Sequence, residues 1–228
     1  MTTEPTPTMT DLAAVARSVL ACPGSMSLLV DGIEHVDGST SLVLEDRGGL
    51  PAITCHLDSP LHRAAEQARS GLLELSSGLP DPDPGLSLVL AGHLDLVGEE
   101  VLDDEPAVQV LLVVTRVLLI RRGRRHLIAP QAFRDPTLAL NSGYLHRATE
   151  HANCCHLAEL RRSVAQAVGV PVDGILAAAL DRLTPSAVDL VWVDEHGADR
   201  RTLTFERPAA TPVELGDALR RRLHASIC

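Results

Sequence analysis

Apolar positions along the chain recur at helical spacing, then alternate as strands do, and return to helical spacing in the last third. Leu12, Val15, Ala16, Val19 and Leu20 predict an opening helix over Asp11 to Cys22 that Pro23-Gly24 ends. Short β-rich runs follow at Ser25 to Val30, Ser41 to Glu45 and Ala52 to Leu57, separated by Asp31-Gly32, Asp37-Gly38 and Gly48-Gly49. Ser59-Pro60 reads as an N-cap and first turn of a short helix reaching about Arg69. Leu72 to Leu75 is the next strand. The cleanest alternation comes after it, with Leu86, Leu88, Leu90, Leu94 and Leu96 on one face and Ser87, His93 and Asp95 on the other.

Val108 to Ile120 is apolar on both faces, the pattern of a central barrel strand, and a basic turn at Arg121 to Arg125 leads to an edge strand at Leu127 to Ala129. Five to seven strands with few helices predict a small barrel. Beyond Pro130 the stripe Leu157, Leu160, Val164, Val168 marks a helix that Gly169 and Pro171 stop, and Val172 to Leu183 reads as a second helix. Val188 to Val193 and Thr202 to Phe205 flank Glu195-His196-Gly197 as a hairpin, and Thr211-x-x-Glu214 is a capping box opening a final helix to His224. The expected organisation is a disordered tail (1–10), a barrel (11–129), a linker (130–141) and a small α/β domain (142–228), an α+β fold.

Composition narrows the partners. With 30 acidic and 20 basic residues the chain has a formal charge of −10, which argues against nucleic acid and an anionic membrane. Only 2% of residues are aromatic, so the core is built from Leu, Val and Ala. The polar, Thr/Pro-rich Met1 to Thr10 has neither the basic nor the apolar region of a secretory signal, and Ala107 to Ile120 is too short to span a bilayer. A cytoplasmic location is expected, with the five cysteines reduced.

Ser59-Pro60-Leu61-His62-Arg63, Leu72-Leu73-Glu74-Leu75 and Leu90-Ala91-Gly92-His93-Leu94 together resemble the flavin-reductase-like split β-barrels of the pyridoxamine-phosphate-oxidase-like, FMN-binding superfamily. The segment Glu150-His151-Ala152-Asn153-Cys154-Cys155-His156, with Asp189 to Asp194, Gly197 and Phe205-Glu206-Arg207-Pro208, is similar to the small domain of unknown function that follows such barrels in HugZ-type haem proteins and in glutamyl-tRNA-reductase-binding proteins. The resemblance implies a split-barrel homodimer with haem or FMN at the subunit interface. Three functions follow from it: haem handling or oxidative haem degradation, a flavin-dependent oxidoreductase, or a cofactor-free regulator that binds a protein partner in tetrapyrrole metabolism. Pro23 to Leu29 carries no Arg or Lys, so the strand that commonly holds the flavin phosphate is missing.

Particular residues fit these chemistries. His62 and Arg63 open the short helix, where free N–H groups favour a phosphate, although a solvated helix start looks the same. His56 is on the strand face opposite Ile53, Cys55 and Leu57, positioned to meet a cofactor. His93 and Asp95 share a face two residues apart, as an imidazole and its orienting carboxylate would. His224 follows Arg220, Arg221 and Arg222, offering haem iron an imidazole and its propionates an arginine such as Arg221. The cluster His146, His151, Cys154, Cys155 and His156 has zinc-ligand chemistry, but on one continuous helix His151 and His156 point about 140° apart. Only a break near Asn153 would gather them, so a structural role and no metal are expected.

Overall fold

The computed structural model describes residues 7–31, 33–36, 42–80, 83, 85–102 and 104–223. It divides into two units, Met1–Gly143 and Tyr144–Cys228. Among the described residues no helix is long and apolar enough to cross a membrane.

In the first unit, helix α1 (Met9–Ala21) begins two residues before its expected start. Thr8 caps it, its Oγ1 accepting from the Asp11 N–H while the Asp11 carboxylate accepts from the Thr8 N–H. Strands β1 (Pro23–Val30), β2 (Ile33–Val36), β3 (Val43–Asp46) and β4 (Pro51–His56) precede helix α2 (Pro60–Glu66). Strands β5 (Ser70–Ser77), β6 (Ser87–Leu102), β7 (Glu105–Arg121) and β8 (Arg124–Ile128) follow. All pair antiparallel in one sheet of order β2-β1-β5-β6-β7-β4-β3, with β8 also on β7. The sheet is strongly curled, a half-barrel in a mixed α+β chain.

The register explains the alternation seen in the sequence. Leu28 pairs with Leu73, Leu73 with Leu90, Leu90 with Val117 and Val117 with Ile128, so one row of buried side chains crosses five strands. Leu12, Ala16, Val19 and Leu20 of α1 join the same core, where burying each leucine contributes about 1.5–3 kcal/mol over leaving it exposed. On the outer face β7 presents the half-buried Leu111, Val113, Leu118 and Ile120. This is why β7 reads as apolar on both faces. Exposed Leu29, Leu72 and Leu127 lie on that outer face as well.

The long β6–β7 ribbon bends where its register shifts between Ala91 and Gly92. A Cβ on Gly92 would stand 2.1 Å from the Val113 carbonyl oxygen, so the bulge tolerates only glycine. Residues 130–141, read from sequence as a linker, carry helix α3 (Pro130–Phe133) and a 3-10 turn at Pro136–Leu138, and the Phe133 ring is fully buried in the core.

Arg17 of α1 is buried beside that ring. Its Nε and one terminal nitrogen donate to Asp46 Oδ2 at 3.0 and 2.7 Å, its other nitrogen donates to the Phe133 carbonyl at 3.1 Å, and the Gly49 N–H completes Asp46 at 2.6 Å. One guanidinium thereby fastens α1, the β3–β4 turn and α3 together.

The second unit comprises most of helix α4 (Ser142–Cys155), helix α5 (Leu157–Val168), strands β9 (Ile175–Leu183), β10 (Ala187–Asp194) and β11 (Gly197–Thr204), and helix α6 (Pro212–Leu223). The antiparallel sheet has order β11-β10-β9, and α5 packs on β9 and α6. Here the sequence reading is corrected: residues 175–183 form a strand, not a helix. Ile175-Leu176-Ala177-Ala178-Ala179-Leu180 has high intrinsic helix propensity, but pairing with β10 and burial of Ile175, Ala178, Leu180 and Leu183 override it.

Candidate functional site

A polar cavity lies within the second unit, where the segment after β11 meets α6. The walls of a cavity of about 760 Å³ include Phe205, Arg207, Glu214, Asp217, Arg221 and Arg222. Local chemistry builds it. Glu214 donates its backbone N–H to Thr211 Oγ1 at 3.2 Å, and its carboxylate accepts from the Ala210 N–H at 2.7 Å, one residue beyond the usual reciprocal capping partner. Phe205 is buried and anchors the segment.

The arginines of the last α6 turn are then divided. Arg220 donates to Asp217 at 2.7 Å, and Arg222 donates to the Thr204 carbonyl at 2.7 Å. Among the described residues Arg221 and Arg207 make no hydrogen bond or ion pair, and both line the cavity. Two guanidinium forks facing one cavity of this size suit a ligand bearing carboxylate or phosphate groups. The sequence offers the basic run, with Arg221 as one candidate in it. Sequence reading missed Arg207, which is distant in sequence and reaches the same cavity from the bend at Glu206 and Arg207.

The other candidates are placed differently. His62 is committed to its own turn: its Nδ1 accepts from the Asp58 N–H at 3.1 Å, its backbone N–H donates to Ser59 Oγ at 3.1 Å, and Nε2 is 3.9 Å from Glu66. Ser59 caps α2 as expected, so the donors proposed for a phosphate are partly used, and Arg63 is exposed and has no partner among the described residues. Beneath this helix start the Cys55 thiol is buried. Burial raises its pKa above the ordinary thiol value, with hydrogen bonds from Ser59 and the His62 backbone opposing the shift.

His56 closes β4, half exposed, with Nδ1 3.7 Å from a Glu105 carboxylate oxygen. Leu57, expected on the core face, is 42% exposed in the turn that follows. His93 and Asp95 are both exposed and form no hydrogen bond with each other. His224 lies outside the described residues.

In the His/Cys cluster the helix does break. α4 stops at Cys155 and α5 starts at Leu157, so His156 sits at a kink and its ring meets that of His151 edge to face at 5.2 Å. Asn153 supplies the structural role: its Nδ2 donates to the Leu180 carbonyl at 2.9 Å and its Oδ1 accepts from the Leu180 N–H at 2.8 Å.

No family model and no curated protein matches the chain. Among solved structures it is similar to a haem-binding protein from Mycobacterium smegmatis, at 14% identity over 97% of this chain and 100% of that one, with a TM-score of 0.45. It is similar to the protein Atu2129 of unknown function from Agrobacterium tumefaciens at 16% identity, over 97% of this chain and 98% of that one, with the same TM-score. No residue or ligand is carried over from either protein.

Proposed function

We propose that the protein binds haem, and that the cavity between the Phe205–Ala210 segment and α6 receives the carboxylate end of the ligand. One observation carries this reading: Arg207 and Arg221 line the same cavity and, among the described residues, neither is ion-paired with the Glu206, Glu214 or Asp217 carboxylates that line it too. A propionate binds such a fork through paired charge-assisted hydrogen bonds. His224, the third residue beyond Arg221, is the candidate to supply an imidazole to the iron. Haem, when bound, would supply redox and oxygen chemistry, and the part of this chain's residues is to hold and orient it.

The flavin alternative is weaker, because His62 is engaged in its own turn and the phosphate is left to Arg63 alone. A regulator without cofactor remains the third reading. A homodimer in which a second copy covers the outer face bearing Leu29, Leu72 and Leu127 belongs to the proposal too.

The test is an absorbance titration with haemin and, separately, with FMN. Saturable one-to-one haemin binding that is weakened by Arg221→Ala and by Arg207→Ala, with a Soret band altered by His224→Ala, supports the reading. Haemin binding indifferent to all three substitutions, or none at all, overturns it.

A further inference from the structure

One face of the three-stranded sheet in the second unit packs against α5, and there Ala178, Leu180, Leu190 and Trp192 are buried. The other face is open. Ala177 pairs with Val193 and Val193 with Ala198, while Ala179 pairs with Val191 and Val191 with Arg200, so these six side chains stand together on the open side. They line a shallow cavity of about 640 Å³. Val193 is 40% exposed, and Ala177 and Ala198 are exposed as well. The next row along the same strands is polar and satisfies itself: Thr202 donates to Asp189 at 2.6 Å, and Arg182 lies 3.5 Å from that carboxylate. Arg200 of β11 donates to Asp181 of β9 at 2.6 Å although β10 lies between their strands. The pair therefore bridges β10, and Arg200 forms that end of the cavity.

We infer that this cavity binds a small, uncharged, apolar molecule of one or two rings that carries a carbonyl group, with Arg200 holding the carbonyl. The volume falls within the roughly 300–1,000 Å³ of small-molecule sites, and the lining has their composition, apolar side chains with a few polar groups at one edge. Two observations define the occupant. Nine residues line the cavity, against the roughly 20–30 that each partner gives to a specific protein interface, and the apolar surface stops at the polar row beside it, so a second copy of the chain has too little to hold. At the rim stand two carboxylates, Asp181 and Asp199, with one guanidinium, Arg200, so the local charge repels an anion. Asp181 takes one terminal nitrogen of Arg200, and among the described residues the rest of the guanidinium has no partner, which leaves donors for a neutral acceptor. The site stands apart from the haem reading and shares no residue with it.

The probe is prodan, an uncharged two-ring ketone whose emission rises and shifts to the blue in apolar surroundings, titrated into the full-length protein. Trp192, the single tryptophan of the chain, is part of the cavity lining and reports occupancy by energy transfer to the probe. The expected result is saturable one-to-one binding with energy transfer. Ala177→Leu/Ala198→Leu fills the cavity from two exposed positions and weakens binding by about tenfold or more. Arg200→Gln weakens it by roughly tenfold, the loss of one hydrogen bond from a charged donor. Val213→Leu, at an exposed apolar residue outside the cavity, leaves binding unchanged, and anilinonaphthalene sulfonate, an anion of similar size, fails to displace the ketone. Far-ultraviolet circular dichroism checks that each variant is folded. Absence of saturable binding, binding indifferent to Ala177→Leu/Ala198→Leu, or displacement by the anion overturns the assignment. So does a dimer on size exclusion that the double substitution dissociates, since the occupant is then a second copy.

Discussion

Replacing Arg17 by methionine isolates the energetic role of the one guanidinium buried inside the half-barrel among the described residues. Its side chain is 2% exposed, and its partner carboxylate on Asp46 is 11% exposed. Methionine fills most of the volume but donates nothing. Asp46 Oδ2 then loses both its donors and keeps only the Gly49 contact on Oδ1, while the Phe133 carbonyl loses the guanidinium. Breaking a buried pair from one side costs about 3–5 kcal/mol, because the remaining charge is neither hydrated nor neutralised. For a chain of this length each kcal/mol lowers Tm by roughly 2–4 °C, so the expected loss is on the order of 6–20 °C. Asp46→Leu should cost a similar amount. The double variant Arg17→Met/Asp46→Leu should recover part of it, since no unpaired charge remains, giving a coupling of about 2 kcal/mol. Thermal and urea unfolding followed by far-ultraviolet circular dichroism measures all three. If Arg17→Met costs less than about 1 kcal/mol, the pair is behaving as a surface ion pair and the reasoning fails.

Gly92→Ala forces a methyl into the Val113 carbonyl and should cost more than the roughly 1–3 kcal/mol of an ordinary overpacked site, read as a lowered urea midpoint. Asn153→Ala removes two hydrogen bonds to Leu180, and about 2–3 kcal/mol is the expected loss because both backbone groups lose their partner at once; an unchanged midpoint would show that solvent replaces the amide. Hydrogen bonds from Arg122 and then Arg121 lower the Asp83 pKa below its ordinary carboxylate value. Its contribution to stability is therefore complete above the unfolded-state value of about 3.9 and is lost as pH falls through the lower folded-state value. A urea midpoint measured against pH should fall less steeply below that point in Asp83→Asn than in the unmutated protein.

Most elements could be read from the chain because local signals agreed with the tertiary structure. The Leu86 to Leu96 alternation, the Ser59 cap and the Thr211 cap each name their own boundary. Residues 175–183 misled because their alanines and leucines favour a helix locally, and only the register with β10 makes them a strand. Arg17 gave no warning: its burial depends on Asp46 and Phe133, which are 29 and 116 residues away, and a lone arginine in a helix reads as solvated. The candidate cavity was half legible for the same reason. A run of three arginines is visible, but which one stays unpaired is decided by Asp217 and the Thr204 carbonyl. The kink at His156 has no proline or glycine to announce it.

The Asn153 anchor bears on self-association too. β9 is an outer strand of its three-stranded sheet, and an outer strand with unpaired amides is a template for another chain. By taking both the N–H and the C=O of Leu180, the Asn153 side chain imitates a neighbouring strand at that point and withholds those groups from any incoming backbone. The other outer strand, β11, is guarded differently, by the exposed charges of Asp199, Arg200 and Arg201. Losing Asn153 would therefore open the β9 edge around Leu180 to strand addition, and slow aggregation during storage would appear as well as a lower midpoint.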